Sequence, residues 1–289
     1  MQLEKTFFER EVRSGYEVSE KVKKIWAVEL NLLEYFDNLC REYHLRYFAD
    51  YGTLLGAVRH QGFIPWDDDI DVVMFRDDYE KLKTIAPDVV CQPYFFQNAY
   101  TNDMIGAFSK LRDSRTTAIE FPDASRDYNQ GIFIDIFPLD SVPEGASTDS
   151  VVGEMQREIW MSVVNPQAFM EMIDEGRKPA LDVSIFTELL KRPVRERIQM
   201  LEEFNVSWFG KFDKVQFITD FLWDYPGLPQ EWYTDIVYLP FENIMVPAPA
   251  DYDNILRRRY GDYMTPVQGA SLHEGLFWDP DEPYTKYVK

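Results

Sequence analysis

Four aspartates stand within five consecutive positions of this sequence, in the segment PWDDDIDVVM, and lead directly into a hydrophobic run. In an extended segment the side chains of Asp67, Asp69 and Asp71 project to the same side, because successive residues alternate. Three carboxylates on one side repel one another unless a cation neutralises them. Hard divalent cations such as Mg²⁺ take oxygen ligands and often keep a substrate phosphate among them. The spacing therefore predicts a cation site for Mg²⁺, with Mn²⁺ as the alternative ion.

Two other interpretations compete with a cation site in this acidic segment. A solvated acidic loop would use Asp68 and Asp69 as turn residues, but the segment continues into IDVVM, which is typical of a buried strand. A calcium loop of the EF-hand type also begins D-x-D-x-D. It requires Gly where this chain has Val72, and Glu at the twelfth position, where this chain has Asp78. Both alternatives are therefore disfavoured.

A further aspartate stands inside the apolar segment GIFIDIF. Ile132, Ile134 and Ile136 share one face of this predicted strand, whereas Asp135 shares the other face with two phenylalanines. A lone buried carboxylate is costly unless it is paired or binds a metal. Asp135 is then either a structural residue, bonded to backbone amides or to a nearby arginine, or a third metal ligand. Two carboxylates on one strand and one on the next can hold one or two Mg²⁺ ions for in-line displacement at phosphorus, with a carboxylate as general base.

A Gly-Thr pair precedes the acidic segment. Gly52 and Thr53 follow a predicted strand and open a predicted helix. Backbone N–H groups at a helix N-terminus bind phosphate well, and the threonine hydroxyl adds a donor. By itself the pair is a weak signal, which gains weight from the aspartates that follow it. It predicts a phosphate-binding turn.

Several cations accompany these residues, and each has two interpretations. Arg59, at the end of the short helix, either holds phosphate or pairs with an aspartate. Lys110 and Arg112 alternate on the predicted strand AFSKLRD and point the same way. They either contact nucleotide phosphates or form a solvated strand face. His60 is better explained as a surface or capping histidine than as a catalyst, and the role of His273 stays open.

The elements that position these residues follow from periodicity. Apolar residues at helical spacing predict a long amphipathic helix over about 18–43, with Ser19 as its cap. A short strand over about 45–49 leads to a helix over 53–59, and the acidic strand over about 69–74 precedes a helix over 77–86. Four strand-like segments come next: YFFQNA, IGAFSKLRD, TTAIEF and GIFIDIF.

The second half of the chain has a different character. After Pro138, helical patterns dominate as far as about Gly210. Near the end, a helix over about 251–260 is stopped by Gly261, and its last turn contains the run Arg257–Arg259. The simplest interpretation of that run is that it complements the helix dipole. The sequence thus predicts an α+β protein whose first half is mixed and whose second half is mostly helical.

Bulk composition limits the classes of function. The formal net charge of the 289 residues is -20, which disfavours binding to nucleic acid, since that requires a basic face. No stretch is apolar enough for a transmembrane helix, and the segment MQLEKTFFEREVRSG lacks the apolar region of a signal peptide. Cys40 and Cys91 form neither a disulfide framework nor a zinc motif. A cytoplasmic location is therefore expected.

The motif YGTLLGAVRHQGFIPWDDDIDV resembles the signature of the LicD family, which includes bacterial phosphocholine transferases and resembles the fukutin-related proteins of animals. The similarity extends to the helix before it, to GIFIDIFPLD and to VPAPADYDNILRRRYGDYMTP. It implies a nucleotidyltransferase-like fold, in which a mixed β-sheet with flanking helices holds a metal-dependent site. Residues 1–140 would form this core with its N-terminal helix. Residues 141–289 would be a mostly helical extension that packs on the core and completes the substrate site.

The resemblance also implies roles for particular residues. Gly52 and Thr53 would be the turn, Asp69 and Asp71 the metal-binding pair and Asp135 the third carboxylate. The gap between turn and pair is longer here than in many members of the superfamily, which leaves Asp67 as an extra ligand. The implied reaction is transfer of a phospho-alcohol, phosphocholine first, from a CDP-activated donor to a hydroxyl of a glycan or lipid-linked glycan, with release of CMP. Such an enzyme would be cytoplasmic, with peripheral association at the inner membrane face.

Three other functions fit parts of the pattern. A nucleotidyltransferase would release pyrophosphate from a nucleoside triphosphate at a similar set of aspartates. A sugar-nucleotide glycosyltransferase also uses D-x-D, but it would need a larger Rossmann-like half before that motif than the helix and short strand found here. A non-catalytic nucleotide- or glycan-binding protein would tolerate loss of one carboxylate, whereas Asp69, Asp71 and Asp135 are all present.

Overall fold

The structure, a computed structural model, describes residues 3–101, 106–120, 128–143, 150–176, 178–179, 181–217, 227–269, 273 and 275–288. The elements up to the strand of Asp135 are β1 (Glu11–Arg13), β2 (Tyr16–Val18), α1 (Glu20–Glu42), β3 (Phe48–Ala49), α2 (Tyr51–His60), β4 (Asp71–Phe75), α3 (Arg76–Val89), β5 (Tyr94–Gln97), β6 (Ser109–Asp113), β7 (Thr117–Ile119) and β8 (Ile132–Val142). The later elements are α4 (Val151–Val164), α5 (Pro166–Asp174), α6 (Val183–Leu190), α7 (Val194–Trp208), β9 (Lys214–Gln216), β10 (Leu228–Pro229), β11 (Ile236–Phe241), β12 (Ile244–Pro249), α8 (Tyr252–Tyr260) and β13 (Phe277–Asp279). The predicted α+β class is confirmed.

Strand β8 is the centre of the main sheet. β4 lies parallel to it on one side, with Asp71 in register opposite Asp135. On the other side β8 pairs antiparallel with β6 through its first half and with β9 through its last residues. β3, β5 and β10 extend this arrangement to seven strands within the described ranges. The acidic strand and the strand of Asp135 are therefore direct neighbours, as the sequence predicts.

Helix α1 covers one face of the sheet. It begins after Ser19, whose side chain accepts a hydrogen bond from the N–H of Val22 at 3.3 Å, so the predicted cap is confirmed. Its apolar side, which includes Trp26 and Leu33, packs in one core with Val72 of β4. Because strand side chains alternate, the aspartate that precedes Val72 faces the opposite side of the sheet. The helix thus supports the acidic strand from behind.

Two predicted boundaries differ from the structure around the acidic segment. The short helix extends over Tyr51–His60 and begins two residues earlier than its periodicity predicts. The strand predicted from Asp69 begins instead at Asp71. The N–H of Asp67 donates to the carbonyl of Ile64 at 2.9 Å, so the chain makes a turn there and cannot yet pair as a strand. Three of the four clustered aspartates therefore lie before the strand.

Four helices of the described part, α4 to α7, lie between Val151 and Trp208, where the sequence predicts that helical patterns dominate. The second half also contains the hairpin of β11 and β12, and strands β9 and β10, which join the main sheet through β8. Position 140, where the sequence analysis divides the chain, lies within β8. None of the helices in the described part is long and apolar enough to cross a membrane.

Candidate active site

The turn before helix α2 is built around two close contacts with the acidic segment. The hydroxyl of Thr53 accepts a hydrogen bond from the N–H of Asp71 at 2.8 Å, which fixes the start of β4 against the first turn of the helix. A Cβ atom at Gly52 would lie 2.4 Å from a carboxylate oxygen of Asp67. The absence of a side chain thus lets that carboxylate lie against the helix N-terminus. The predicted turn and the predicted carboxylates are adjacent.

Asp135 lies beside this segment and has a cation as its partner. Its N–H donates to the carbonyl of Ile70 at 2.9 Å, and its Cα is paired with that of Asp71. Lys110 Nζ lies 3.1 Å from one carboxylate oxygen of Asp135 and 3.4 Å from the other. The structural interpretation of Asp135 named an arginine or backbone amides as partners, whereas the partner found is a lysine. The metal-ligand interpretation stays a prediction.

The clustered carboxylates are destabilised by one another. Burial raises the pKa of Asp67 and that of Asp71, and the charges of neighbouring aspartates raise both pKa values further. Burial also raises the pKa of Asp69; His273 opposes that shift, whereas Asp135 and Asp68 add to it. In the ion-free protein the ionised cluster therefore carries unrelieved repulsion. A bound cation would remove that cost.

A histidine from the C-terminal region completes the cluster. His273 Nδ1 lies 3.3 Å from an oxygen of Asp68 and 3.6 Å from an oxygen of Asp69. Burial lowers the pKa of His273, but the hydrogen bond to Asp68 and the charge of Asp69 outweigh burial and raise it. The sequence left the role of this histidine open, and a separation of 205 residues from Asp68 explains why local patterns could not supply it.

The ligand atoms available in the described residues fit a divalent cation. Those of Asp68, Asp69 and His273 all lie within 4.8 Å of one another, whereas Asp71 and Asp135 are not part of that close set. One oxygen of Asp135 is buried and lies 3.1 Å from Lys110 Nζ, but the geometry of this contact is not that of a hydrogen bond. An oxygen-rich set suits Mg²⁺, and the imidazole nitrogen makes Mn²⁺ an acceptable alternative.

The predicted phosphate-binding cations have partners in the structure. Arg59 donates to the carbonyl of Tyr263 at 2.8 Å and to Nδ1 of His60 at 3.3 Å, so its predicted alternative, pairing with an aspartate, is not seen in the described part. Burial, followed by the charge of Arg59, lowers the pKa of His60 to about 4. This histidine is therefore neutral near pH 7. Its ring meets that of Trp66 edge-on, with 6.3 Å between centroids.

Lys110 and Arg112 share one side of β6, as their alternation predicts. Both cationic groups lie over the ring of Phe133, at 3.4 and 4.7 Å from its centroid. Both side chains are buried, so the solvated strand face is wrong. Arg112 donates to Gln97, to the carbonyl of Gly131 and, at 3.3 Å, to a glutamate at the strand edge. Lys110 is the cation of this pair that reaches Asp135.

The structure adds a buried cluster at the start of helix α2 that sequence reasoning missed. Asp50 is fully buried and caps the helix by accepting from the N–H of Tyr51 at 2.8 Å. The hydroxyl of Tyr233 and the guanidinium of Arg259 also donate to its carboxylate, at 2.8 and 3.0 Å. Arg259 lies 3.9 Å above the ring of Tyr51. An aspartate directly before a Gly-containing helix start was a signal for the cap, but nothing local indicated its arginine.

Comparison with known proteins bears on this region. Residues 44–174 match the family described as LicD/FKTN/FKRP, nucleotidyltransferase domain. The chain is 29% identical over 246 residues to the lipopolysaccharide cholinephosphotransferase LicD of Haemophilus influenzae, a match that covers 81% of this chain and 88% of that protein. An uncharacterised protein of Rickettsia prowazekii is 34% identical over 101 residues, which are 35% of each chain. One of Rickettsia typhi is 40% identical over 73 residues, 25% of this chain and 22% of that protein.

Proposed function

Because residues 44–174 match the LicD/FKTN/FKRP family and most of the chain is similar to a LicD cholinephosphotransferase, we propose that it is a phosphotransferase for glycans. It transfers a phospho-alcohol, phosphocholine first, from a CDP-activated donor to a hydroxyl of a cell-surface glycan or its precursor, and CMP is released. The main structural support for phosphoryl transfer is the contact of Thr53 with Asp71, because it places a helix N-terminus beside the acidic strand. The similarity to a cholinephosphotransferase over most of both chains supports the choice of alcohol.

The residues of the site divide the work of phosphoryl transfer. The backbone N–H groups at the start of α2, around Gly52 and Thr53, donate hydrogen bonds to the phosphate oxygens of the CDP-activated donor. Asp69, Asp71 and Asp135, with Asp67 as a further ligand, would hold Mg²⁺ or Mn²⁺; of these, Asp69 also belongs to the close set with Asp68 and His273. When bound, the ion neutralises phosphate oxygens and makes an attacking hydroxyl more acidic.

The acceptor hydroxyl attacks the phosphorus that carries the alcohol. A bond from the acceptor oxygen to phosphorus forms, the bond from that phosphorus to the oxygen of CMP breaks, and the proton of the hydroxyl passes to a carboxylate. Asp135 is the candidate base, because it lies on the strand next to Asp71, in register with it. Lys110 also offers its charge to the donor phosphates once it leaves Asp135.

The expected compartment is the cytoplasm, with action at the inner face of the membrane on lipid-linked acceptors. Cys40 and Cys91 are free thiols, and the second of them is exposed. An exposed thiol supports a reducing compartment. The formal charge of -20 supports binding of a cationic alcohol such as choline better than binding of nucleic acid.

A donor panel tests this function. The purified protein is incubated with Mg²⁺, a mixed glycan acceptor and, separately, CDP-choline, CDP-ribitol, CDP-glycerol and CTP, and the nucleotide products are resolved by chromatography. CMP from CDP-choline that disappears with EDTA is the expected result. CMP from another CDP-alcohol would show that the enzyme transfers that alcohol and not choline. Pyrophosphate from CTP would establish the nucleotidyltransferase alternative. If the protein binds a donor but produces no CMP, the result would favour the non-catalytic alternative.

A further inference from the structure

A glutamate in helix α1 is buried without any visible partner. Glu29 has 0% of its surface exposed, and neither of its carboxylate oxygens has a hydrogen-bond partner among the described residues. Burial of an unpaired carboxylate costs several kcal/mol unless the group is neutralised. A glutamine or leucine at this position would avoid that cost. The retained carboxylate therefore calls for a function.

The position of Glu29 in the helix places it behind the acidic segment. It follows Ile25 by four residues and Trp26 by three, so these side chains share one face of α1. The indole N–H of Trp26 donates to the carbonyl of Asp67 at 3.2 Å. Ile25 packs against Phe133, which lies two residues before Asp135 on β8. Helical side chains lean toward the N-terminus. Glu29 therefore leans toward the region between the acidic segment and the start of β8.

Electrostatics agree with this placement. Burial raises the pKa of Glu29 well above its usual value, and the charges of Asp69, Asp68, Asp67 and Asp71 raise it further, in that order. The neighbours that raise the pKa of Glu29 most are thus all members of the acidic segment, and Asp69 acts most strongly.

The cations close to this face of α1 are held by other carboxylates. Lys110 pairs with Asp135. Lys23 lies 5.0 Å from the centre of the Trp26 ring, but its ammonium group pairs with Glu11 at 2.6 Å. None of the ion pairs in the described part involves Glu29, so no cation of the described residues offsets its charge.

We propose that Glu29 is a further carboxylate of the cation site, which holds the ion directly or through a water of its hydration shell. Helix α1 then belongs to the site and does not only support it. This inference rests on the cation dependence in the proposed function. It explains why a fully buried carboxylate with no hydrogen-bond partner among the described residues lies close to the acidic segment. Substitution of Glu29 should therefore change the affinity for the ion even when no donor is present.

The test measures binding of Mn²⁺ alone, by isothermal titration calorimetry, and the melting temperature with and without Mn²⁺. Glu29→Gln keeps the shape of the side chain and removes its charge. We expect it to weaken Mn²⁺ binding by about 10- to 100-fold, the usual effect of losing a residue that supports a metal ligand, and to raise the melting temperature of the ion-free protein. Glu42→Gln, at the exposed end of the same helix, is the matched control and should change neither quantity.

Unchanged Mn²⁺ affinity in a folded Glu29→Gln would overturn the inference. If circular dichroism shows that this variant does not fold, Glu29→Asp retains the charge but withdraws it by one methylene, and the same criterion applies to it. The donor panel separates this result from the proposed function. Wild-type protein that binds Mn²⁺ and releases no CMP contradicts the function and leaves Glu29 supported by its binding defect. Wild-type protein that turns over CDP-choline but binds neither Mn²⁺ nor Mg²⁺ contradicts the inference and leaves transfer intact.

Discussion

Strand β8 carries two buried aspartates that are five residues apart and have opposite surroundings. Asp140 receives two bonds from the guanidinium of Arg76, at 2.6 and 2.7 Å, and a third from the amide of Asn205 at 2.7 Å. Asp135 has a lysine shared with Glu120 as its partner and faces further carboxylates across the parallel strand. The first aspartate has its full set of partners from the protein. The second has no such set among the described residues, which is what the proposed role as an ion ligand requires.

This difference separates a structural carboxylate from a functional one better than burial does. Both side chains are buried, so burial alone would rank them together. Buried charges are tolerated when donors surround them, as the bidentate arginine does for Asp140. A cluster that remains short of positive charge is a candidate ligand site, because an ion or substrate must complete it. Glu29 belongs to this second class by the same criterion.

Removal of a carboxylate from the deficient cluster should have the largest effect on function. Asp71→Asn is expected to lower turnover by at least about 10⁴-fold, or about 5.5 kcal/mol, because it removes one carboxylate of the proposed metal site and with it the proposed activation of the attacking hydroxyl. The fold should persist, and the ion-free protein should melt at a higher temperature because one of the repelling charges is gone. Asp135→Asn should lower turnover as strongly, but its melting temperature should not rise, because the variant leaves the buried Lys110 without its aspartate partner. Product release from CDP-choline and a melting curve without ions measure both effects, and retained turnover in Asp135→Asn would remove it from the site.

Removal of the satisfied aspartate should instead affect stability. Asp140→Ala leaves Arg76 buried without its carboxylate, which should lower the free energy of unfolding by about 3–5 kcal/mol. Folded molecules of this variant should bind Mn²⁺ with nearly the affinity of the wild type. Urea unfolding and calorimetric titration give the two numbers. A variant of normal stability that loses Mn²⁺ binding would reverse the distinction between the two aspartates.

The cluster around Asp50 lies between these extremes, because its carboxylate has a full set of hydrogen-bond donors but borders the predicted phosphate-binding turn. Arg259→Ala removes two donors to Asp50 and the contact with Tyr51. Loss of hydrogen bonds to a charged group should cost about 1.5–3 kcal/mol of stability, and the helix N-terminus should bind donor less well. Arg258→Ala alters an exposed neighbour in the same helix and should stay within about 0.5 kcal/mol of wild type. Equal effects of the two variants would contradict a specific role for Arg259.

How far the sequence predicted this arrangement depends on the range of each interaction. Helix α1, the Gly52–Thr53 turn and the neighbouring strands of Asp71 and Asp135 rest on periodicity and short motifs, and these predictions agree with the fold. The contact of His273 with Asp68 and that of Arg259 with Asp50 join residues more than 200 positions apart. No local pattern encodes such pairs. They follow only once the C-terminal segments are folded onto the first half.

Glu29 shows a signal that was present in the sequence and not used. The apolar stripe of α1 includes Ile25, Trp26 and Leu33, and position 29 falls between them at helical spacing. A charged residue on the buried stripe of an amphipathic helix contradicts its own pattern, and such conflicts concentrate at functional sites. The acidic segment offered a reason for the conflict. The two observations were separated by about forty residues, and only the sheet brings them together.

The smallest expected effect concerns Arg59, whose role is divided between packing and binding. Its guanidinium holds the carbonyl of Tyr263, and burial lowers the pKa of Arg59 without removing its charge at neutral pH. Arg59→Ala should therefore cost about 1 kcal/mol of stability, and a weakening of CDP-choline binding by about tenfold, or 1.4 kcal/mol, is expected only if the side chain also turns toward the donor. Arg59→Lys separates the two roles, because it keeps the charge and loses the planar fork. Titration with CDP-choline measures the donor affinity of both variants. If the affinity is unchanged in both, Arg59 is a structural residue like Asp140. If the affinity falls in Arg59→Ala and Arg59→Lys partly restores it, Arg59 contacts the donor.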